Sequence, residues 1–242
     1  MIGKIEKILK MDDYDRDAVY TPAIINITIT VIFIWYTLTD LYPSTWHIKF
    51  TAFFGSIAAA AIFTRFIMNL FRGISKLFED IHYGRDRLHF PTTSMLLLSD
   101  NSISQDLKKR VRRELKSRYK ITLLTKDSEA TNEIEARRTA KDAVAAIKKT
   151  VANSNDKLTK LKLKRYGQFR NFLGGAVFCI PFVITCTVIS AVKYAPCAPL
   201  LFIINIVYVI VAFIDYFLTK SAATDYAETL ITTFDQINHH EA

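Results

Sequence analysis

Residues 165–194 read RYGQFRNFLGGAVFCIPFVITCTVISAVKY, and the boundary that decides the fold lies within them. The stretch begins polar and basic, whereas the segment from about Phe172 to Tyr194 is almost entirely apolar. A helix of roughly twenty apolar residues spans the hydrocarbon core of a bilayer, which is about 30 Å thick. The change in composition therefore indicates that a basic, water-exposed region ends where a membrane-spanning helix begins.

Three further apolar segments of similar length occur in the chain. The four predicted spans lie at about 21–41, 47–71, 172–194 and 199–219. Short turns join them in pairs, so the sequence predicts an all-α membrane protein with two transmembrane helical hairpins, residues 21–77 and 171–219. A mostly helical insert, residues 78–170, separates the two hairpins.

The insert contains the excess positive charge of the chain. From Glu79 to Arg170 there are 22 Lys and Arg residues against 12 Asp and Glu, a net charge of +10, while the whole chain has a net charge of +9. Lys and Arg accumulate on the cytoplasmic side of membrane proteins. We therefore predict that the insert, an amphipathic segment at residues 1–20 and a tail at residues 220–242 are cytoplasmic.

Hydrophobic spacing divides the insert into several helices. Ser102 and Gln105 have the spacing of a capping box and predict a helix that ends near Lys120. A second helix is predicted over about 128–151, and a third begins at Asp156 and continues into the third span. Because the insert is small for an independent core, we expect it to pack on copies of itself or on the membrane bundle.

Basic side chains are concentrated on the first of these helices and again just before the third span. This density can neutralise several phosphates and bind a nucleotide or a short nucleic acid. Contact with anionic lipid headgroups is the alternative, together with the charge bias that sets topology. The predicted ligand-binding residues are Lys108, Lys109, Arg112, Arg113, Lys116, Arg165 and Arg170.

Two charged residues lie inside the predicted spans at matching depth, Arg65 in the second and Asp215 in the fourth. A charge inside the bilayer is costly unless it is paired or faces water. The two residues are therefore predicted to form either a structural pair or part of a water-filled pathway. Asn205, half-way through the fourth span, is consistent with both alternatives.

Small residues and a proline interrupt two of the spans. Gly174 and Gly175 open the third span and Pro181 follows, which predicts either a hinge or close packing against a neighbouring helix. The run from Gly55 to Ala61 in the second span likewise allows close helix contact, within one chain or between copies.

No catalytic, cofactor or metal motif is visible in the sequence. It contains no glycine-rich phosphate loop and no HExxH pair, and its three cysteines lack a regular metal-ligand spacing. The acidic run from Asp12 to Asp17 lacks the glycine and the closing glutamate of a calcium loop. We therefore predict no enzymatic activity, no cofactor and no metal site.

Several short strings resemble a known group of proteins. They are FPTT at 90–93, LSD at 98–100, and RYGQFRN at 165–171 leading into Gly174 and Gly175. Together with the order of the spans, they are similar to four-span membrane effectors of bacterial anti-phage defence, of the CBASS-like and Hailong-like kind. The likeness covers about residues 90–175 and the arrangement of the spans.

This resemblance implies a homo-oligomer, with a tetramer favoured, in the bacterial inner membrane. It also implies a partner nucleotidyltransferase, whose nucleotide or oligonucleotide signal opens an ion path that depolarises the infected cell. The residues themselves leave a second hypothesis open. In that alternative the chain is a non-conducting membrane adaptor, and its basic domain docks a protein or an anionic lipid surface.

Overall fold

A computed structural model of the chain describes residues 13–41, 66–154, 156–193 and 195–240. Every regular element within these ranges is a helix, and no strand occurs among them. The predicted all-α class is therefore confirmed. Three described segments are long and apolar enough to cross a membrane, namely Arg16–Thr37, Lys157–Val192 and Ala198–Asn238.

The predicted arrangement of four spans goes beyond the three span-length segments that the structure describes, and it stays a prediction. Residues 42–65 lie outside the described ranges, and they include most of the second span, the run at 55–61 and Arg65. The greater part of the amphipathic segment at 1–20 also lies outside them.

The described helices are numbered here in chain order. They are α1 (Thr21–Leu41), α2 (66–83), α3 (Pro91–Ser94), α4 (Gln105–Tyr119), α5 (Lys126–Thr131), α6 (Glu133–Asn153), α7 (Lys157–Val192) and α8 (Ala198–His240). A helical turn at Asp13–Asp15 and a π-helical turn at Arg16–Tyr20 precede α1.

The chain divides into two compact units. Unit 1 consists of residues 1–77 and 167–219, and unit 2 consists of residues 78–166 and 220–242. Helices α7 and α8 contribute residues to both units.

Unit 1 has an apolar core formed by α1, α2, α7 and α8. Phe33, Phe71, Val183 and Leu201 belong to one cluster, and each is at most 2% exposed. Many large apolar side chains of the unit are exposed, among them Phe202, Phe213 and Phe217 on α8. Exposed apolar side chains on helices of this length are typical of contact with lipid or with another membrane helix.

Unit 2 packs α4 and α6 with the last part of α8. Leu115, Ile147 and Phe234 are fully buried, one on each of these helices. The Tyr119 hydroxyl bonds the Thr150 hydroxyl at 2.5 Å, which links α4 to α6. The predicted tail is thus helical as far as His240, and its apolar face contributes to the core of this unit.

Two local predictions in unit 2 are wrong in detail. The cap of α4 is Ser104, whose hydroxyl accepts the Leu107 amide at 3.2 Å, and not Ser102, whose amide donates to Asp100. The helix predicted over 128–151 is two helices, because Asn132 adopts a non-helical conformation and caps α6. In both cases a polar side chain bonds a nearby amide and ends or starts a helix.

Candidate functional site

Helix α4 presents basic residues on three faces that have different surroundings. It begins at its Ser104 cap and ends at Lys120, which adopts the left-handed conformation. Leu107, Val111 and Leu115 form its buried apolar stripe, as the sequence predicted. The faces on either side of this stripe decide which cations are available to a ligand.

The first face is internal and consists of Lys108 and Arg112. Lys108 is fully buried, and its ammonium donates to the carbonyl oxygens of Leu97, at 2.7 Å, and of Asp100. Burial lowers the pKa of Lys108, and the carboxylates of Asp100 and Glu129 oppose that shift. These bonds connect α4 to the loop at 95–100, so Lys108 has a structural role.

Arg112 belongs to the same internal network. Its guanidinium donates to the carbonyls of Leu96, at 3.2 Å, and Leu124, at 2.7 Å, and forms an ion pair with Glu129 at 2.6 Å. Burial lowers the pKa of Arg112, and the charge of Glu129 opposes the shift. The side chain is 14% exposed and all these contacts lie within unit 2.

Glu129 on α5 is the centre of this network. Its two carboxylate oxygens accept the amides of Leu98, at 2.9 Å, and Ser99, at 3.0 Å, besides the Arg112 guanidinium. The Glu129 side chain is 3% exposed. A buried carboxylate with three donors holds α4, α5 and the loop at 95–100 in one arrangement.

The second face of α4 lies against the end of α8. The Arg110 guanidinium donates to both oxygens of the Asp235 carboxylate, at 2.8 to 3.1 Å. Arg118 pairs with Glu114 at 3.2 Å and donates to the Asn238 carbonyl at 3.5 Å. These two arginines are therefore held by α8 and by α4 itself.

The third face is open and is called the basic stripe below; it consists of Lys109, Arg113 and Lys116. These residues recur every three or four positions, so they lie on one side of the helix. All three are exposed, and Lys109 makes only a long contact of 3.8 Å with the exposed Asp106. Within the described part of the chain no ion pair involves Arg113 or Lys116. Of the five predicted ligand residues on α4, these three are available.

The two predicted ligand residues on α7 belong to different units. Arg165 is exposed in unit 2, whereas Arg170 is half-buried in unit 1 and donates to Asn171 at 3.4 Å. Near Arg165, the Lys162 ammonium pairs with Asp225 at 3.2 Å.

Of the two charged residues that were predicted inside the membrane, only Asp215 lies in the part of the chain that the structure describes. Asp215 on α8 is 5% exposed, and its Oδ2 atom has no hydrogen-bond partner among the residues that the structure describes. Arg65 lies outside those residues, so the Arg65–Asp215 pair stays a prediction. Asn205 does not join Asp215 and instead donates to the Thr187 hydroxyl on α7 at 3.3 Å.

The predicted hinge residues lie within an uninterrupted helix. Helix α7 continues through Gly174, Gly175 and Pro181. A Cβ atom at Gly174 would lie 2.7 Å from the Phe71 carbonyl oxygen, and one at Gly175 would lie 2.6 Å from the Asn26 amide nitrogen. Both glycines therefore allow close helix packing, while hinging stays a prediction.

Comparisons of the chain with protein-family models, with curated proteins and with solved structures found no match. What the site could bind is therefore indicated only by its own residues. No group of three or more His, Cys, Asp or Glu side chains capable of holding a metal ion occurs within the described ranges.

A polar network around Asn26 was not predicted. The Asn26 amide donates to the carbonyls of Pro22, at 2.9 Å, and Phe172, at 3.3 Å, and its oxygen accepts the Tyr208 hydroxyl. Asn171 donates to the Ala18 carbonyl at 2.6 Å. The network links α1, α7 and α8 in unit 1. Asn26 and Tyr208 are polar residues within apolar segments, and this was the available signal for an interhelical contact.

Proposed function

We propose that this chain is a ligand-gated, pore-forming membrane effector of bacterial anti-phage defence. In this proposal it assembles as a homo-oligomer, with a tetramer favoured, in the bacterial inner membrane. A nucleotide or oligonucleotide signal binds the basic cytoplasmic insert and opens an ion path that depolarises the infected cell. The resemblance of residues 90–175 to four-span effectors supplies the defence assignment.

The basic stripe is the observation that carries the ligand-binding part. Lys109, Arg113 and Lys116 are exposed, whereas the other side of α4 is fixed by Glu129. Cations held on a rigid helix bind phosphates without first losing internal partners. The stripe therefore supports an anionic ligand with several phosphates more strongly than the buried Lys108 and Arg112 do.

The membrane part of the proposal includes two hairpins, with 47–71 as the second span and with the insert and both termini in the cytoplasm. Three span-length helices and the exposed apolar surface of α8 support it. Reporter fusions at Asn101 and after Ala242 should report the cytoplasm, and a fusion within 42–46 should report the outside. A periplasmic signal at Asn101 would contradict this topology.

The decisive binding experiment removes the basic stripe. The triple variant Lys109→Gln, Arg113→Gln, Lys116→Gln should weaken binding of a short fluorescein-labelled oligodeoxynucleotide to the purified, detergent-solubilised protein. Because each phosphate contact on a single strand contributes about 0.7 to the slope of log K against log salt, the slope should fall by about 2. Fluorescence anisotropy over a salt series measures both quantities.

A matched control separates this site from overall charge. Arg138, Lys141 and Lys149 on α6 are also exposed. The triple variant Arg138→Gln, Lys141→Gln, Lys149→Gln removes the same charge and should leave the affinity and the salt slope close to those of wild type. Equal weakening by both triple variants would indicate only nonspecific attraction.

A membrane adaptor is the second candidate, because the basic stripe can also contact anionic lipid headgroups or an acidic protein surface. Ion flux from liposomes that contain the purified protein separates the two functions. The pore proposal predicts flux that increases with the activating nucleotide. Lipid-dependent or protein-dependent docking without flux would favour the adaptor.

A further inference from the structure

Unit 1 contains a cavity of about 390 Å³ beside Asp215. This volume lies in the range of pockets that hold small organic ligands. Its polar lining residues are Asp17, Thr21, Gln168 and Asp215, and the rest of its wall is apolar. All the residues that line the cavity belong to unit 1, whereas the basic stripe belongs to unit 2.

The charged residues that line the cavity are all acidic. Two of its lining residues are carboxylates, and none is Lys or Arg. Asp17 is paired with Arg16 at 2.9 Å, whereas the buried Asp215 has an Oδ2 atom without a hydrogen-bond partner among the described residues. An ionised carboxylate in such surroundings is stabilised by a nearby cation.

The remaining wall decides the kind of cation. Phe169 and Phe172 line the cavity, and aromatic rings attract organic cations such as quaternary ammonium groups. A calcium ion requires six to eight oxygen ligands, whereas the described residues contain no group of three or more His, Cys, Asp or Glu side chains that could hold a metal ion. Acidic side chains in an otherwise aromatic and aliphatic wall therefore suit a ligand that has one positive charge surrounded by apolar groups.

We infer that this cavity binds a monovalent organic cation with an apolar body, whose charged centre lies at the Asp215 carboxylate. The inference does not depend on the nucleotide-gating proposal, because it uses residues of unit 1 alone. It assigns a ligand to Asp215, for which the sequence suggested either a structural pair with Arg65 or a place in a water-filled pathway.

Tetraphenylphosphonium is a suitable probe, and tetraphenylborate is an anion of the same shape. The full-length protein in a neutral detergent should bind the phosphonium saturably and should bind the borate far more weakly. Asp215→Asn should lower the phosphonium affinity by about tenfold to a hundredfold, because a charge-assisted contact is lost. Equilibrium dialysis measures each affinity.

A second pair of variants keeps the test valid if Asp215→Asn fails to fold. Ile24 and Ile25 are adjacent on α1 and are 40% and 43% exposed, but only Ile25 lines the cavity. Ile25→Trp should fill the cavity and lower the phosphonium affinity at least about tenfold by steric exclusion. Ile24→Trp should bind as wild type does.

Three results would overturn the inference. They are equal binding of the two tetraphenyl ions, unchanged phosphonium binding in a folded Asp215→Asn or Ile25→Trp variant, and absence of saturable binding to wild type. If binding appeared only in Arg65→Gln, the carboxylate would belong to the Arg65–Asp215 pair. Competition by a short-chain phosphatidylcholine would identify the cation as a lipid headgroup, and lack of competition would identify it as a free organic cation.

Discussion

Two faces of α4 consist of the same residue types and have opposite surroundings. Lys108 is fully buried and bonded to carbonyl oxygens, whereas Lys109, the next residue, is 72% exposed. Arg112 and Arg113 differ in the same way, because successive residues on a helix point about 100° apart. A density of Lys and Arg therefore does not by itself identify a binding surface; the side of the helix on which each residue lies also decides its role.

The largest effect is expected for Glu129→Gln, which removes the charge that compensates the internal face. Breaking a buried pair leaves an uncompensated charge on Arg112, at a cost of about 3–5 kcal/mol. The amides of Leu98 and Ser99 should then lose protection against hydrogen exchange, because both donate to this carboxylate.

The control for Glu129→Gln is Glu133→Gln on α6. Glu133 also pairs with an arginine, Arg137 at 2.7 Å, but its side chain is 61% exposed. Exposed pairs contribute little to stability. Little change in the exchange of unit 2 is therefore expected for this variant. Similar exchange in the two variants would mean that burial does not separate the two pairs.

Unit 1 offers the same contrast between identical residues, in Gly73 and Gly174. A Cβ atom at Gly174 would lie 2.9 Å from the Ser75 amide nitrogen, whereas one at Gly73 would have no atom within 4 Å. Gly174→Ala should destabilise the protein by about 1–3 kcal/mol through overpacking. Gly73→Ala should stabilise α2 by about 0.5–1 kcal/mol.

Thermal unfolding in detergent, followed by circular dichroism, measures both glycine variants. A stable Gly174→Ala variant that folds normally and has altered ion flux would instead favour a hinge at this position.

A smaller effect is expected from changing one lysine of α4 to methionine. Lys108→Met removes the donor from the Leu97 and Asp100 carbonyls; of these two bonds only the one to Leu97 is buried, and one unsatisfied buried acceptor costs about 1–3 kcal/mol. The loss of a buried charge offsets part of this cost. Lys109→Met should leave stability unchanged and weaken oligonucleotide binding. The opposite pattern would reverse the assignment of the two faces.

The smallest effect is expected at the Arg110–Asp235 pair. Arg110 is 39% exposed, so solvent screens the interaction, and added salt should weaken it further. Arg110→Gln, Asp235→Asn and the double variant should show similar, slightly faster hydrogen exchange at the end of α8. Additive effects in the double variant would mean that the two residues do not interact.

Much of the helical pattern of the chain could be predicted from local periodicity. The first, third and fourth predicted spans fall on described helices, and the stripe of Leu107, Val111 and Leu115 on α4 is buried as expected. These features depend on residues a few positions apart. Hydrophobic spacing is informative at that distance.

The roles of the cations could not be predicted in the same way. The partner of Arg112 is Glu129, which lies 17 residues away on another helix, and the partner of Arg110 lies 125 residues away. The sequence does not specify such pairings. The capping box failed for a related reason, because Ser102 is engaged by Asp100. The Asp100 carboxylate accepts the Ser102 amide, and this local turn competes with the start of a helix at Ser102.

The separation of the faces of α4 also has an evolutionary consequence. Substitutions at exposed positions usually change stability by no more than about 0.5 kcal/mol. Selection can therefore vary the basic stripe while the network around Glu129 preserves the fold. Under the proposed function, a lineage that came to recognise a different anionic signal could change Arg113 or Lys116 without first acquiring a compensating mutation in the core.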